Sequence, residues 1–100
     1  RNGRHGYAFT WNGLLNMKNS KHAEDMSPID CLSRCPAAQE YSRAYVHHLM
    51  KSGEILGAMI LSWINTVFYQ QLMDEMRRAI ADDRFDAWKD SVLPRVTARV

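Results

Sequence analysis

Arg1 and Arg4 stand in the opening string RNGRHG, which also carries two glycines and an asparagine. A guanidinium pairs bidentately with phosphate, and a glycine-rich turn lets the backbone come close to it. Two solvated arginines on a loop fit the same spacing. Cys31 and Cys35 are the only cysteines, too few for a secreted disulfide framework. The histidines are His5, His22, His47 and His48. Tyr41, Tyr45 and His48 fall at i, i+4 and i+7, one face of a helix, a pattern that serves core packing or an interface. Ser, His and Asp occur at no spacing that specifies nucleophilic catalysis, and no glycine loop suited to phosphate is present. Residue types alone give no acid–base pair.

These residues need elements to position them. Tyr7, Phe9 and Trp11 alternate, then Asn12-Gly13 precedes Leu14-Leu15-Asn16-Met17-Lys18. Alternation across Asn-Gly predicts a β-hairpin closed by a type I′ turn. Residues 19–35 keep no period and contain Pro28, so a loop is expected, with a short turn near Ala23–Met26. Pro36 suits the first position of a helix, where its missing N–H costs nothing. Ala37, Ala38, Tyr41, Ala44, Tyr45, His48 and Leu49 carry that helix toward Gly53. A long helix follows over 54–81, with Ile64, Phe68, Leu72, Met76 and Ile80 as its apolar stripe and Trp63, Val67 and Met73 beside it. Gly57 weakens its first turns slightly. Asp83 is placed to cap a third helix over 84–93 with Phe85, Trp88 and Val92 inward, ended by Pro94. The last six residues are expected to fray.

The chain has 100 residues, 46% hydrophobic and 24% charged, a composition that folds rather than one that stays disordered. That length suits one small domain or a piece of a larger one, and falls short of the roughly 250 residues of an eight-stranded barrel. Net charge is +2, too small to imply a polyanion partner by itself. Residues 1–51 hold seven basic and four acidic side chains, against six and seven in 52–100, so nucleic-acid contact is expected in the first half. The longest apolar run, Ile55 to Ile64, is broken by Gly57 and Ser62 and is well under the roughly 20 residues of a membrane span. A cytoplasmic protein with reduced thiols is expected, with no membrane partner.

Two long strings carry a resemblance. RNGRHGYAFTWNGLLNMKNSKHAEDMSPID resembles the stretch after the catalytic strand of bacterial-type tRNA-guanine transglycosylases, and YSRAYVHHLMKSGEILGAMILSWINTVFYQQLMDEMRRAIADDRF resembles that family's C-terminal helices. Both occur in the family's order and separation, over residues 1 to about 90. RNGRHG, AEDMSPID, SRAYVHHL and FYQQLM are the most specific parts. The resemblance implies a (β/α)8-barrel enzyme that exchanges guanine at the tRNA wobble position for a deazaguanine such as preQ1 or queuine. An aspartate attacks C1′ of the ribose there, a few residues before a P-T-R-x-G-R motif. This chain begins at the first arginine of that motif, so the nucleophile is expected just before Arg1. No aspartate present here aligns with a catalytic one, and the segment alone is expected to be inert.

By the same alignment Arg1 and Arg4 match arginines that hold the tRNA backbone near the anticodon. Tyr41, Tyr45 and His48 match an aromatic cluster through which family members form homodimers, Tyr41 replacing the usual tryptophan. Most members bind zinc through C-x-C-x-x-C and a later histidine, a closed tetrahedral site. Aligning on SRAY puts those positions at Ser33, Cys35, Ala38 and Ile64, where only Cys35 is a ligand, and Cys31 lies off-register. No zinc is therefore expected, and an apolar contact between Ala38 and Ile64 is expected in its place.

The expected fold is α+β and mostly α: an N-terminal hairpin plus three helices, with 1–35 as hairpin and loop and 36–100 as the helical part of one C-terminal subdomain. The function implied is tRNA binding and dimerisation within the transglycosylase. The alternative is a standalone helical protein-interaction module or a noncatalytic RNA binder.

Overall fold

The computed structural model describes residues 6–99. Strands β1 (Tyr7–Thr10) and β2 (Gly13–Asn16) form an antiparallel hairpin in which Phe9 faces Leu14 and Thr10 faces Gly13. A short 3-10 turn at Ser20–His22 follows. Then come α1 (Pro36–Glu40), α2 (Arg43–Lys51), α3 (Ile55–Ala81) and α4 (Phe85–Val96). The mostly helical architecture with a leading hairpin matches the sequence expectation.

The turn of the hairpin differs from it. Thr10 pairs with Gly13, so Trp11 and Asn12 are the central residues, and neither has positive φ. A type I′ turn needs positive φ at both. The Thr10 side chain builds the turn instead: Oγ1 donates to Gly13 O at 2.6 Å and accepts from Asn12 N–H at 3.2 Å. Gly13 alone takes the left-handed side, at φ 129°.

The expected helix from Pro36 to Gly53 is two helices, giving four rather than three. Tyr41 and Ser42 are extended, and Ser42 caps α2 by accepting from Tyr45 N–H at 3.0 Å. Extension frees this backbone to bond the preceding loop: Arg43 N–H donates to Ser27 O and Ala44 N–H to Asp25 O. The expected early turn is present at Ala23–Glu24, where Asp25 N–H donates to His22 O, and a 3-10 turn at Ser20–His22 leads into it.

The long helix forms over nearly the expected span, yet Ile80 at the end of the expected stripe is 58% exposed. Each four-residue step advances about 40° beyond a full turn, so four steps carry a side chain about 160° around the axis. The buried line instead drifts through Ile60, Leu61, Ile64, Phe68, Gln71 and Ala79. Asp83 does not cap α4; it turns the chain at φ 55°, and Arg84 is the capping residue. The helix also runs through Pro94 to Val96, since proline's fixed φ is helical and its ring disturbs only the last turn.

The C-terminal residues are docked rather than frayed. Leu14 N–H donates to Ala98 O at 2.8 Å, and Leu14 bridges Arg99 in parallel fashion. Two apolar clusters hold the whole. One gathers Ala8, Leu15, Met17 and Ile29 with Cys35, Ala38, Val46, Leu61 and Ile64. The other centres on Trp11, Phe68 and Val92, with Phe9, Leu72, Trp88 and Val96 against it.

Candidate functional site

Three sets of residues were expected to matter. Arg1 and Arg4 lie outside the described residues. The other two sets lie on opposite sides of the boundary between surface and core.

Tyr41 and Tyr45 are 36% and 40% exposed, and their rings stack with centroids 5.3 Å apart at 25°. His48 is exposed, one turn further along α2. Tyr41 is not on the helix that carries the other two; it lies in the extended link after α1. The link still returns its ring against Tyr45, because Ser42 starts α2 immediately afterwards. An exposed stacked pair leaves two large rings with a free face, and such rings carry interface energy where a partner covers them.

Ser33, Cys35, Ala38 and Ile64 are all buried. The last three belong to one apolar cluster, which brings Ala38 and Ile64 into the same core as expected. The donor chemistry of the four does not fit a closed zinc site. One thiol is present, Ser33 Oγ accepts from Cys35 N–H at 3.0 Å, and alanine and isoleucine offer no ligand atom. Among the described residues no group of three or more His, Cys, Asp or Glu side chains is placed to hold a metal.

Sequence reading missed the polar groups that fix this region. Asp30 is 2% exposed. Its Oδ2 accepts from Trp11 N–H at 2.8 Å and its Oδ1 from Leu32 N–H at 3.0 Å, joining the hairpin turn to the loop. Arg43 reaches back to donate from Nε to Pro28 O at 3.1 Å and from Nη2 to Ile29 O at 3.2 Å, with Asp25 at 3.7 Å. Asn65 Oδ1 accepts from Phe9 N–H at 2.8 Å while its Nδ2 donates to Tyr7 O at 3.0 Å. Gln71 makes the corresponding pair with the loop, accepting from Arg34 N–H at 3.0 Å and donating to Leu32 O at 3.1 Å. Nothing in the loop pattern marks Asp30, and nothing in a helix pattern marks Asn65 or Gln71.

Two titrating groups are perturbed near the start of α2. Burial, then Arg43 and Lys21, hold His22 below the usual imidazole value, and its Nε2 is buried with no partner among the described residues. Hydrogen bonds from the Ser27 side chain and backbone hold Asp25 below the usual carboxylate value. An apolar groove of about 540 Å³ between α3 and α4 is lined by Phe9, Phe68, Leu72, Leu93 and Val96, and neither group lines it. Of its hydroxyls, Thr66 and Thr97 donate to backbone carbonyls, and among the described residues no carboxylate, imidazole or amine lines the groove beside them. Such a groove suits a surface better than a reaction.

Comparison with known proteins places the chain in a family. A family model described as queuine tRNA-ribosyltransferase matches residues 1–98. The queuine tRNA-ribosyltransferase of Novosphingobium aromaticivorans is 61% identical over 88 residues, covering 88% of this chain and 24% of its own length. That of Brucella melitensis is 59% identical over 85 residues, covering 85% and 22%. That of Zymomonas mobilis is 46% identical over 99 residues, covering 99% and 26%. The chain thus spans about a quarter of the length of these curated relatives. With the match running through the hairpin, the loop and all four helices, the chain belongs to the queuine tRNA-ribosyltransferase family.

Proposed function

We propose that this chain is the C-terminal part of a tRNA-guanine transglycosylase, which exchanges guanine at the tRNA wobble position for a deazaguanine, and that it supplies tRNA-backbone contacts and a dimer face rather than the reacting groups. The observation that carries this reading is the unbroken family match over residues 1–98. The state of the acidic groups supports the noncatalytic part. Asp30 has both oxygens on backbone N–H groups, Asp25 is engaged by Ser27 and Arg43, Asp74 by Arg34 and Arg77, and Asp82 by Arg84. Of these only Asp30 is buried with both oxygens bonded, so it ties the loop to the hairpin turn rather than facing a substrate. In the intact (β/α)8-barrel protein the attacking aspartate precedes Arg1.

Arg1 and Arg4 hold phosphates near the anticodon, in a cytoplasmic enzyme. The free thiols of Cys31 and Cys35 accord with that compartment, and no described helix is long and apolar enough to cross a membrane. The exposed Tyr41–Tyr45 stack, with His48 beside it, supports homodimerisation through this face.

Guanine exchange by the intact protein tests the reading. Arg1→Ala and Arg4→Ala are expected to raise KM for tRNA, and each lost phosphate contact to flatten the salt dependence of binding by a slope of about 0.7. Unchanged KM and slope in both variants would remove the RNA-binding role. Native mass spectrometry of Tyr45→Ala is expected to show monomer gained at the expense of dimer; an unaltered dimer would remove the interface role.

A further inference from the structure

We infer that the Cys31–Cys35 segment is fastened to α3 by a metal-free clasp made of two parts: the Gln71 amide, which pairs with the loop backbone, and the apolar cluster that holds Cys35 and Ala38 with Ile64. A zinc site at the aligned positions would cross-link this loop and α1 to α3. Here the same crossing is made by other means.

Gln71 is 8% exposed, and both ends of its amide are used on the loop. Leu32 O and Arg34 N–H belong to residues two apart, just after the turn at Cys31–Leu32, and the turn leaves both open. A primary amide offers one acceptor and one donor. Gln71 therefore satisfies both backbone groups with one side chain. Ser33, between the two bonded residues, turns inward and is 2% exposed. Gln39 Nε2 donates to Ser33 O at 2.6 Å, closing the loop from the α1 side. Arg34 adds an ion pair to Asp74 at 3.2 Å, which solvent screens because both side chains are close to half exposed.

About two helical turns before Gln71, Ile64 lies in one cluster with Cys35 and Ala38, and none of the three has exposed surface. A divalent cation among them would meet one thiol and otherwise hydrocarbon, an arrangement that leaves most of its charge uncompensated in a low-dielectric interior. The side chains at the aligned positions therefore do not fit the metal, and the crossing of loop and helix rests on the Gln71 amide and the apolar contact.

The comparison with a zinc site rests on the transglycosylase alignment; the clasp rests on the geometry of this chain. The tests separate the two, using the intact protein. Elemental analysis is expected to find far less than one zinc per chain, with a melting temperature unmoved by EDTA. Stoichiometric zinc, or melting lowered by the chelator, would overturn the inference. In Gln71→Leu, hydrogen exchange at the Ala38 amide, which bonds Cys35 O and not Gln71, is expected to quicken about tenfold relative to the Leu61 amide within α3. Equal protection in variant and parent would overturn the clasp. Finally, cobalt(II) is expected to give a thiolate charge-transfer band with Ser33→Cys/Ala38→Cys/Ile64→His and none with the parent. A band in the parent would overturn the inference. No band in the folded triple variant would show that the aligned register is wrong while leaving the Gln71 result standing.

Discussion

Asp30 and His22 are both buried polar side chains, and they are stabilised in opposite ways. Asp30 ends its charge on two backbone N–H groups from different segments, and hydrogen bonds to an ionised acceptor are the stronger kind. Asp30→Ala leaves those donors unpaired and is expected to cost about 3 kcal/mol, measured by urea unfolding. His22 is instead kept neutral by burial, Arg43 and Lys21, with Asp25 opposing and His47 adding to the effect. Its folded value lies below the unfolded value near 6.5, so the unfolded state takes up the proton first as pH falls. The stability tied to neutral His22 is present above that unfolded value and is lost as pH drops toward the folded one. His22→Leu, which cannot charge, is expected to flatten the acid limb of melting temperature against pH. An unchanged acid limb would place the pH dependence elsewhere. Neither role was legible in the sequence, because a lone Asp or His in a loop reads the same whether solvated or buried; the partners come from segments far away in the chain.

At the level of elements, α3 is the spine to which the others are fastened, and two of its polar residues bond backbone outside it, Asn65 on the hairpin and Gln71 on the loop. The hairpin has two edges. Asn65 covers the β1 edge through Phe9 and Tyr7, and the C-terminal segment covers the β2 edge through Leu14 and Ala98. A two-stranded hairpin is marginal in water, so these caps decide whether it stays formed. Asn65→Ala is expected to destabilise by about 1–3 kcal/mol, since it strands a donor and an acceptor at once. Gly57 shows packing outweighing propensity. A Cβ there would lie 2.9 Å from Met50 Sδ and 3.0 Å from Leu49 Cβ, where α2 crosses α3. Gly57→Ala would gain up to about 1 kcal/mol of helix propensity and lose about 1–3 kcal/mol to overpacking. Net destabilisation is expected in thermal unfolding, and a higher melting temperature would contradict the close crossing. The helices were readable from their period and from Pro36 and Gly53. The break at Tyr41–Ser42 was marked only by a serine that fits equally well inside a helix, and its partner in the loop decided the matter. Asn65 and Gln71 sit among polar neighbours on a helix, where solvent exposure is the ordinary expectation.

Taken whole, the described residues span 46 × 21 × 21 Å with a radius of gyration of 14.1 Å, against about 13 Å for a compact chain of this length. The excess follows from α3, whose 27 residues extend about 40 Å. One apolar cluster packs α2 and the loop on the first half of that helix, and the other packs α4 and Phe9 further along. Trp11 joins the two, being packed on Phe68 at 5.0 Å while its backbone N–H is tied to Asp30. Such links are expected to make hairpin, loop and helices a single cooperative unit, and the docking and RNA-contacting role proposed for it requires that they hold their relative places. Family membership was legible from strings such as SRAYVHHL and FYQQLM, and the alignment pointed to Ala38 and Ile64, while the hydrogen bonds of Gln71 to the loop were not legible, because they depend on which loop lies beside which helix. Thermal unfolding of this chain in EDTA, followed at once by far-ultraviolet circular dichroism and by tryptophan fluorescence, tests the unit most directly. Coincident single transitions, identical with and without chelator, are predicted; separate transitions for the two probes, or collapse of the structure on chelation, would contradict it.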